Sequence, residues 1–381
     1  MKLGDICNKI GSGATPRGGK ESYKDSGTPI IRSQNVLDWS FSSDGLAYLD
    51  DEQACALSNV EVKPRDVLLN ITGDSVARAC IVPNEFTPAR VNQHVSILRT
   101  NNRSNPVFLL AWLQANKPLL LSLASSGATR NALTKMMLEK LDINLPPIDV
   151  QERIAGIVLS IQSKIEANTK LNGYLAEQCE GIVEHQTGDV VALASLCGLA
   201  SERVDCREAD IATYVSTESL LPAKMGKQTA STLPQAGKVA VYKAGDTLVS
   251  NIRPYFKKIW YADRSGTCSG DVLVFRANQP EHAGYLYSCL RQDRFFDYVM
   301  KGAKGTKMPR GDKKQMLTYE IVNSPSAAAI GAIQTALEQI SIANKENDSL
   351  AALRDALLPK LMSGEIDVSK VDLTQLNSHL A

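Results

Sequence analysis

A loop that cradles phosphate reads G-x-x-x-x-G-K-[ST], with glycines for close backbone approach, a lysine for the terminal oxygens and a hydroxyl for magnesium. Residues 13–20 come near this pattern, but a second glycine precedes Lys20, and Glu21 stands where the hydroxyl belongs. An enzyme that methylates a flipped adenine needs an Asn/Asp-Pro-Pro-aromatic segment. The nearest string, Asn144-Leu-Pro-Pro147, has an extra leucine and is followed by Ile148. The four histidines, His94, His185, His282 and His379, stand on separate segments without metal-ligand spacing or a nucleophile partner. His94 reads as a hydrogen-bonded strand residue rather than a base. The eight cysteines, Cys7, Cys55, Cys80, Cys179, Cys197, Cys206, Cys268 and Cys289, include no Cys-x-x-Cys pair, so they read as buried thiols of a reducing cytoplasm. No catalytic or metal site is read from the chain.

The residues that rise above this background are cations on glycine-containing loops. Lys301, Lys304, Lys307, Arg310, Lys313 and Lys314 share one short run with Gly302, Gly305 and Gly311 and a single acid, Asp312. Such a run is often a plain solvated face, but glycine also lets backbone N–H groups approach phosphates. Arg253-Pro-Tyr-Phe-Lys-Lys258 interleaves aromatics with cations, which suits phosphate contact and base-edge reading. Net charge confirms the division. Residues 1–146 carry +2 (16 basic, 14 acidic), 147–189 carry −4 (3 and 7), 190–325 carry +6 (19 and 13) and 326–381 carry −3 (4 and 7). A polyanion would meet the basic stretches and not the acidic ones.

The elements that must position these loops come in two copies. Ile154, Val158, Ile161, Ile165, Asn168, Asn172, Leu175, Cys179 and Ile182 follow a 3.5-residue repeat, the seam of one long helix over residues 151–182. A shift of 179 gives Ile333, Leu337, Ile340, Asn344, Asn347 and Ala351, a second helix over about 326–360. Asn168 and Asn347 fall at the same step, where a buried amide sets register. The helices are expected to pair, each about 50 Å long. The repeat extends outside them: Lys63-Pro-Arg-Asp66 answers Lys243-Ala-Gly-Asp246, each before short β-branched runs. The 73–78 loop answers 253–258, and the 125–131 loop answers 301–314.

A 381-residue chain thus divides into a globule at 1–146, a helix at 147–189, a globule at 190–325, and a helix with tail at 326–381. In the first globule residues 3–10 open as helix or strand, 67–72 and 79–82 are strands, and 107–123 is a helix. In the second, 212–217, 247–251, 258–262 and 272–276 are strands and 283–299 is a helix. A third helix is expected at 348–362, with a loose polar tail beyond Gly364. The apolar run at 108–124 is interrupted by polar residues and Pro118, and residues 1–13 have no signal core, so a cytoplasmic protein is expected.

Several strings along the chain, Gly27-Thr-Pro-Ile30, Lys63-Pro-Arg-Asp-Val-Leu68, Asn92-Gln-His94 and Leu145-Pro-Pro-Ile-Asp-Val-Gln-Glu-Arg-Ile154, carry a resemblance together with the duplication. Ser250-Asn-Ile-Arg-Pro254, Gly305-Thr-Lys-Met-Pro-Arg310 and Leu353-Arg-Asp-Ala-Leu-Leu-Pro-Lys-Leu-Met-Ser-Gly364 add to it. The whole chain resembles the DNA specificity subunits of type I restriction-modification systems. The second helix departs by opening on Ser324-Pro-Ser-Ala instead of Pro-Pro-x-x-x-Gln-Glu.

The resemblance implies an α+β fold: two pseudo-repeated α/β target-recognition domains separated by two long antiparallel coiled-coil helices. It implies a non-catalytic subunit in which each domain reads half of a bipartite double-stranded DNA target while the helices set the spacer. Two methyltransferase subunits, binding S-adenosylmethionine, and two restriction subunits, using ATP and Mg, are the implied partners. The chain itself is expected to hold no cofactor and to meet no membrane. The candidate DNA contacts are Arg17, Arg32, Gln34, Asn35, Ser75, Arg78, Thr129 and Arg130 in the first globule. In the second they are Thr217, Arg253, Tyr255, Lys257, Lys258, Lys304, Thr306, Lys307 and Arg310. A protein-binding adaptor with a helical spacer is the other reading, which footprinting on DNA would separate.

Overall fold

The computed structural model describes residues 1–16, 22–125, 131–323 and 325–380, apart from the side chains of Asn377 and His379. It divides into two compact units, residues 1–166 with 347–381, and residues 167–346. Each unit therefore takes in part of both long helices.

In the first unit a 3-10 turn, Leu3–Ile6, leads into β1 (Cys7–Ser12), β2 (Thr28–Ile31), β3 (Ala47–Leu49), α1 (Asp51–Ala56) and β4 (Glu61–Val62). There follow β5 (Val67–Asn70), β6 (Ala79–Ile81), β7 (Ala89–Val91), β8 (Val95–Thr100), α2 (Pro106–Ala115), α3 (Lys117–Ser125) and α4 (Lys135–Glu139). One sheet has the order β1-β8-β5-β6 and the other β3-β2-β7-β4. Strand β5 is apolar without alternation because both of its faces are buried. Val67 and Leu69 pack in the core that contains α2, while Leu68 packs in the core of the second sheet.

The second unit is built to the same plan. It comprises the later part of α5 (Ile148–Glu184), then β9 (Val190–Ala192), β10 (Cys197–Leu199), β11 (Arg203–Asp205), β12 (Lys238–Tyr242) and β13 (Thr247–Ser250). β14 (Ile259–Tyr261), β15 (Gly266–Cys268), β16 (Val272–Ala277), α6 (Ala283–Arg291), α7 (Asp293–Lys301), α8 (Lys313–Leu317) and β17 (Glu320–Val322) follow. The sheet β10-β16-β13-β14 reproduces β1-β8-β5-β6 strand for strand, with the smaller sheets β11-β12-β15 and β17-β9 beside it. The repeated Lys-x-x-Asp turn has a structural cause. Asp66, 1% exposed, accepts the Lys63 amide at 2.7 Å and two bonds from the Arg99 guanidinium at 2.8 and 2.7 Å. Asp246 does the same with the Lys243 amide and Arg276, at 2.7, 2.8 and 2.6 Å. A buried carboxylate is tolerated only with its lone pairs filled, so these residues recur together.

Helices α5 and α9 (Ala327–Ser363) are 37 residues each, about 55 Å at 1.5 Å per residue. In the first unit Ile154, Val158 and Ile161 are buried with Leu350, Leu358 and Leu361 of α9, and Ile165 packs against the same core. Arg354 donates to Gln162 Oε1 at 2.9 Å, and the Asn347 amide donates to the Ile165 carbonyl at 3.4 Å. In the second unit Ile333 and Leu337 are buried with Cys179 and Val183, and Ile340 packs against them. There Asn168 donates to Glu346 at 2.7 Å, and Asn172 to Asn344 at 2.9 Å. Within each unit the helices run antiparallel. Asn168 and Asn347 thus hold register through different partners, a carboxylate and a backbone carbonyl.

Several expectations are corrected. The apolar run at 107–123 is two helices bent by 65°, broken where the Asn116 amide bonds back to the Trp112 carbonyl at 2.9 Å. The 283–299 run likewise breaks at Gln292, between α6 and α7. Residues 212–217 form turns, with only Val215 bridged to Cys268, because Asp210 caps the segment by accepting the Ala212 amide at 3.0 Å. The helix expected at 348–362 is the second half of α9, which carries Pro359 without ending. Beyond Gly364 the chain folds: Val368 is buried, and α10 (Leu373–Leu380) packs Leu373, Leu376 and Leu380 against the first unit's core. Among the described residues no single helix is long and apolar enough to cross a membrane.

Candidate nucleic-acid interface

In the second unit the chain leaves β13 into a tight loop in which two residues, Arg253 and Lys257, both have a left-handed backbone at φ 51°. That conformation costs an L side chain of order 1 kcal/mol or more, so it persists only where the surroundings impose it. Here they do. The Arg253 amide donates to the Pro309 carbonyl at 2.8 Å and the Lys257 amide to the Pro254 carbonyl at 2.8 Å. The Ala223 and Lys224 amides donate to the Phe256 and Lys257 carbonyls, each at 2.9 Å. The Lys257 ammonium pairs with Asp293 at 3.0 Å, and Lys224 joins Asp293 at 3.0 Å and Glu180 at 3.1 Å. Burial pushes the Asp293 carboxyl upward, but hydrogen bonds from Lys257 and Lys224 outweigh it and hold the carboxyl below its usual range.

A hairpin tip stands against this loop. Lys304 and Arg310 exchange amide and carbonyl at 2.9 Å in both directions, and Gly305 at φ 96° opens the turn between them. The loop and hairpin border a hollow of 510 Å³ lined by Thr217, Arg253, Phe256, Lys258 and Met308, among others. The Lys258 ammonium donates to the Thr217 carbonyl at 2.6 Å, and burial lowers its pKa while Glu218 pulls the other way. Arg253 Nε is buried without a partner. Tyr255 and Phe256 are exposed with ring centroids 4.6 Å apart. Thr306 and Lys307 are exposed at the tip; Arg310 pairs with Asp271 at 3.2 Å and Lys304 with Asp312 at 3.4 Å. The Asp312 carboxylate also caps α8, and the Gln315 and Lys314 amides, with Lys304, hold its pKa low.

The first unit builds the same device. Its loop has left-handed backbone at Gly73 (φ 76°) and Ala77 (φ 68°), the counterparts of Arg253 and Lys257. The Asn70 amide donates to the Arg78 carbonyl at 2.8 Å, as Ser250 does to Lys258 at 3.0 Å. Thr72 bridges to Ala132 as Ile252 bridges to Arg310. The hollow, 740 Å³, is lined by Gln34, Ser75, Arg78 and His94, among others. His94 sits in the turn between β7 and β8, where its Nδ1 meets the Thr72 hydroxyl at 2.5 Å. Arg32 bonds to the Gly45 carbonyl and lies over the Tyr23 ring at 5.2 Å. Asn35 is fully buried, its amide donating to the Ser42 and Asp44 carbonyls at 2.9 and 3.1 Å, so it shapes the loop instead of presenting a contact. Arg17, Thr129 and Arg130 lie outside the described residues, as does the His379 side chain.

The structure thus brings Thr217, Arg253 and Lys258 to one hollow and Gln34, Ser75 and Arg78 to another, each within its own unit. Sequence reasoning missed Tyr214, Asp271 and Met308 in the one and Thr72 and Asp74 in the other. Tyr214, Asp271 and Thr72 come from turns without a motif, whereas Met308 and Asp74 lie inside the 305–310 string and the 73–78 loop, where the cations drew the reading. Among the described residues no three His, Cys, Asp or Glu side chains are grouped to hold a metal.

Fold and hollows define the class, an internally duplicated α/β protein with an equivalent loop-lined hollow in each copy. Residues 1–175 match the model of the type I restriction modification DNA specificity domain. Over that stretch the chain is similar to the type I restriction-modification specificity family. It is 22% identical over 200 residues to a putative type I restriction enzyme MjaX specificity subunit of Methanocaldococcus jannaschii, covering 49% of this chain and 46% of that protein. The match therefore spans about half the length of that relative. Among solved structures, the type I S subunit of M. genitalium aligns with TM-score 0.48, 14% identity and 95% coverage of both chains. The HsdS subunit of Thermoanaerobacter tengcongensis aligns with TM-score 0.35, 14% identity and 96% coverage of both.

Proposed function

We propose that this chain is the DNA specificity subunit of a type I restriction-modification complex, each unit reading one half of a bipartite duplex target. The observation that carries this reading is the loop-and-hollow device built twice at equivalent positions, beside cations in a chain whose net charge is otherwise near neutral. Half-sites read on one duplex face lie about 34 Å apart, and α5 and α9 act as the spacer. The chain does no chemistry and binds no cofactor of its own. Two modification subunits, binding S-adenosylmethionine, dock on the helices, and two restriction subunits using ATP and Mg join them in the cytoplasm. Exposed Leu159 and Leu353 in the first unit, and Leu171, Tyr174 and Ile342 in the second, support helix faces made for a partner.

Mapping adenine methylation across the genome of a host carrying the complex tests the reading. A two-part motif with an unread gap is expected. A contiguous motif, or no protection of DNA in footprints of the assembled complex, would sink it. Inserting one heptad after Asn168 and another after Asn347 adds about 10 Å, or about three base pairs, to the gap or abolishes binding; an unaltered motif would defeat the spacer role.

A further inference from the structure

We infer that Arg253 is the base-reading residue of the second unit, its guanidinium held over the hollow to meet a guanine edge in the major groove. The exposed cations of 301–314 then supply contacts to phosphate that are independent of sequence. This inference rests on the DNA-recognition reading above.

Three observations converge. First, the equivalent left-handed position in the first unit is Gly73, which takes that backbone freely, whereas the second unit places an arginine there at φ 51°. Glycine would suit the backbone better, so the side chain is what the position gains. Second, the neighbouring cations are already committed. Lys257 is paired with Asp293 at 3.0 Å and Lys258 is bound to the Thr217 carbonyl at 2.6 Å. Arg253 has a buried Nε without a partner, and among the described residues no acid pairs with it. A loop held by its other side chains while one guanidinium keeps its donors is a preorganised reader. Third, Phe256 and Met308 line the same hollow and offer apolar surface beside those donors. An arginine fork matches guanine O6 and N7, the commonest specific contact in the major groove.

The hairpin cations have a different character. Lys304 and Lys307 are exposed on long stems, and Lys304 is 84% exposed even while paired with Asp312. Flexible point charges suit phosphates, whose positions repeat along any duplex.

The test uses the full chain assembled with its modification subunits and a duplex library with a randomised core, selected and sequenced for wild type, R253G, R253N and K307A. Asparagine, like glycine, tolerates the left-handed backbone, so both substitutions at 253 keep the loop. Wild type should select a guanine in one half-site, and both Arg253 variants should lose about ten- to hundredfold discrimination at that base pair. The other half-site and the salt dependence should stay as in wild type, and the Tm of R253G should be no lower. K307A should keep the motif and bind with a shallower salt dependence. An unchanged motif in both Arg253 variants overturns the assignment. So does a uniform loss across all sequences with a salt slope shallower by about one, the mark of a phosphate contact. A lowered Tm in both variants overturns the argument from strain. If wild type selects no motif at all, the recognition reading fails and takes this assignment with it, an outcome distinct from the others.

Discussion

The sharpest quantitative expectation concerns the hairpin of the second unit. A protein that neutralises Z phosphates loses affinity with salt along a slope of about −0.9Z on a double-logarithmic plot. Replacing Lys304, Lys307 and Arg310 with alanine removes three exposed cations. Two of them have acidic neighbours, Asp312 at 3.4 Å and Asp271 at 3.2 Å, which compete with phosphate for the charge. If both acids keep their partners, Lys307 alone counts and the slope becomes shallower by about 0.9. If phosphate displaces both acids, the change is about 2.7. From about 50 to about 200 mM salt, wild type should then lose about 3.5- to 40-fold more affinity than the variant. Fluorescence anisotropy of a labelled duplex carrying the mapped motif, titrated with the assembled complex, measures this directly. Because these side chains are exposed, the Tm should hold. Parallel salt lines for wild type and variant would refute the placement of phosphate contacts on this hairpin.

Other outcomes follow from the packing. Asp293 is held below its usual pKa, so its stabilising contribution is complete above the unfolded carboxylate value of about 4 and disappears as the pH falls through the folded value. The Tm gap between wild type and D293N should be constant near neutral pH and narrow below about pH 4; a gap that widens in acid contradicts the ion-pair account. Burial pushes the Cys7, Cys197, Cys268 and Cys289 thiols up to about 12, while Cys55 is exposed. Thiol titration of the native protein with mass-spectrometric mapping should modify Cys55 first, and a buried cysteine reacting as fast would be evidence against these cores. Asp66→Ala and Asp246→Ala each strand a guanidinium, Arg99 or Arg276. Each should cost about 2–4 kcal/mol by denaturant unfolding. Hydrogen exchange should place the loosening in the first unit for the former and in the second for the latter; a change spread equally over both would deny that these are equivalent local locks.

Much of the architecture is legible in the chain because it is written many times over. The 3.5-residue seam from Ile154 through Asn168 repeats an apolar choice at every turn, and its reappearance 179 residues later announces the duplication. The Lys-x-x-Asp turns are legible for a related reason, since a buried carboxylate demands fixed neighbours in both copies. The breaks at Asn116 and Gln292 fall in polar stretches, 114–118 and 291–294, but a few polar residues on a helical run read alike whether the helix bends there or only turns a face to solvent. The tail past Gly364 read as loose because its polar residues outnumber Val368, Leu373, Leu376 and Leu380, the few that pack.

The candidate interface divides the same way. Glycines and cations marked the loops at 73–78, 253–258 and 301–314 in the sequence, whereas Asn35 was indistinguishable from a contact residue until its burial was seen. What the sequence by itself determined is the duplicated plan, the two long helices and the placing of net positive charge outside them, because periodicity and composition accumulate over many residues. The tertiary structure alone decided that residues 347–381 complete the unit begun at residue 1, and that Arg253 takes a backbone shape arginine rarely adopts. Both depend on a few contacts between segments distant in the chain, such as the Pro309 carbonyl accepting the Arg253 amide, and no local pattern of residues encodes a bond of that kind.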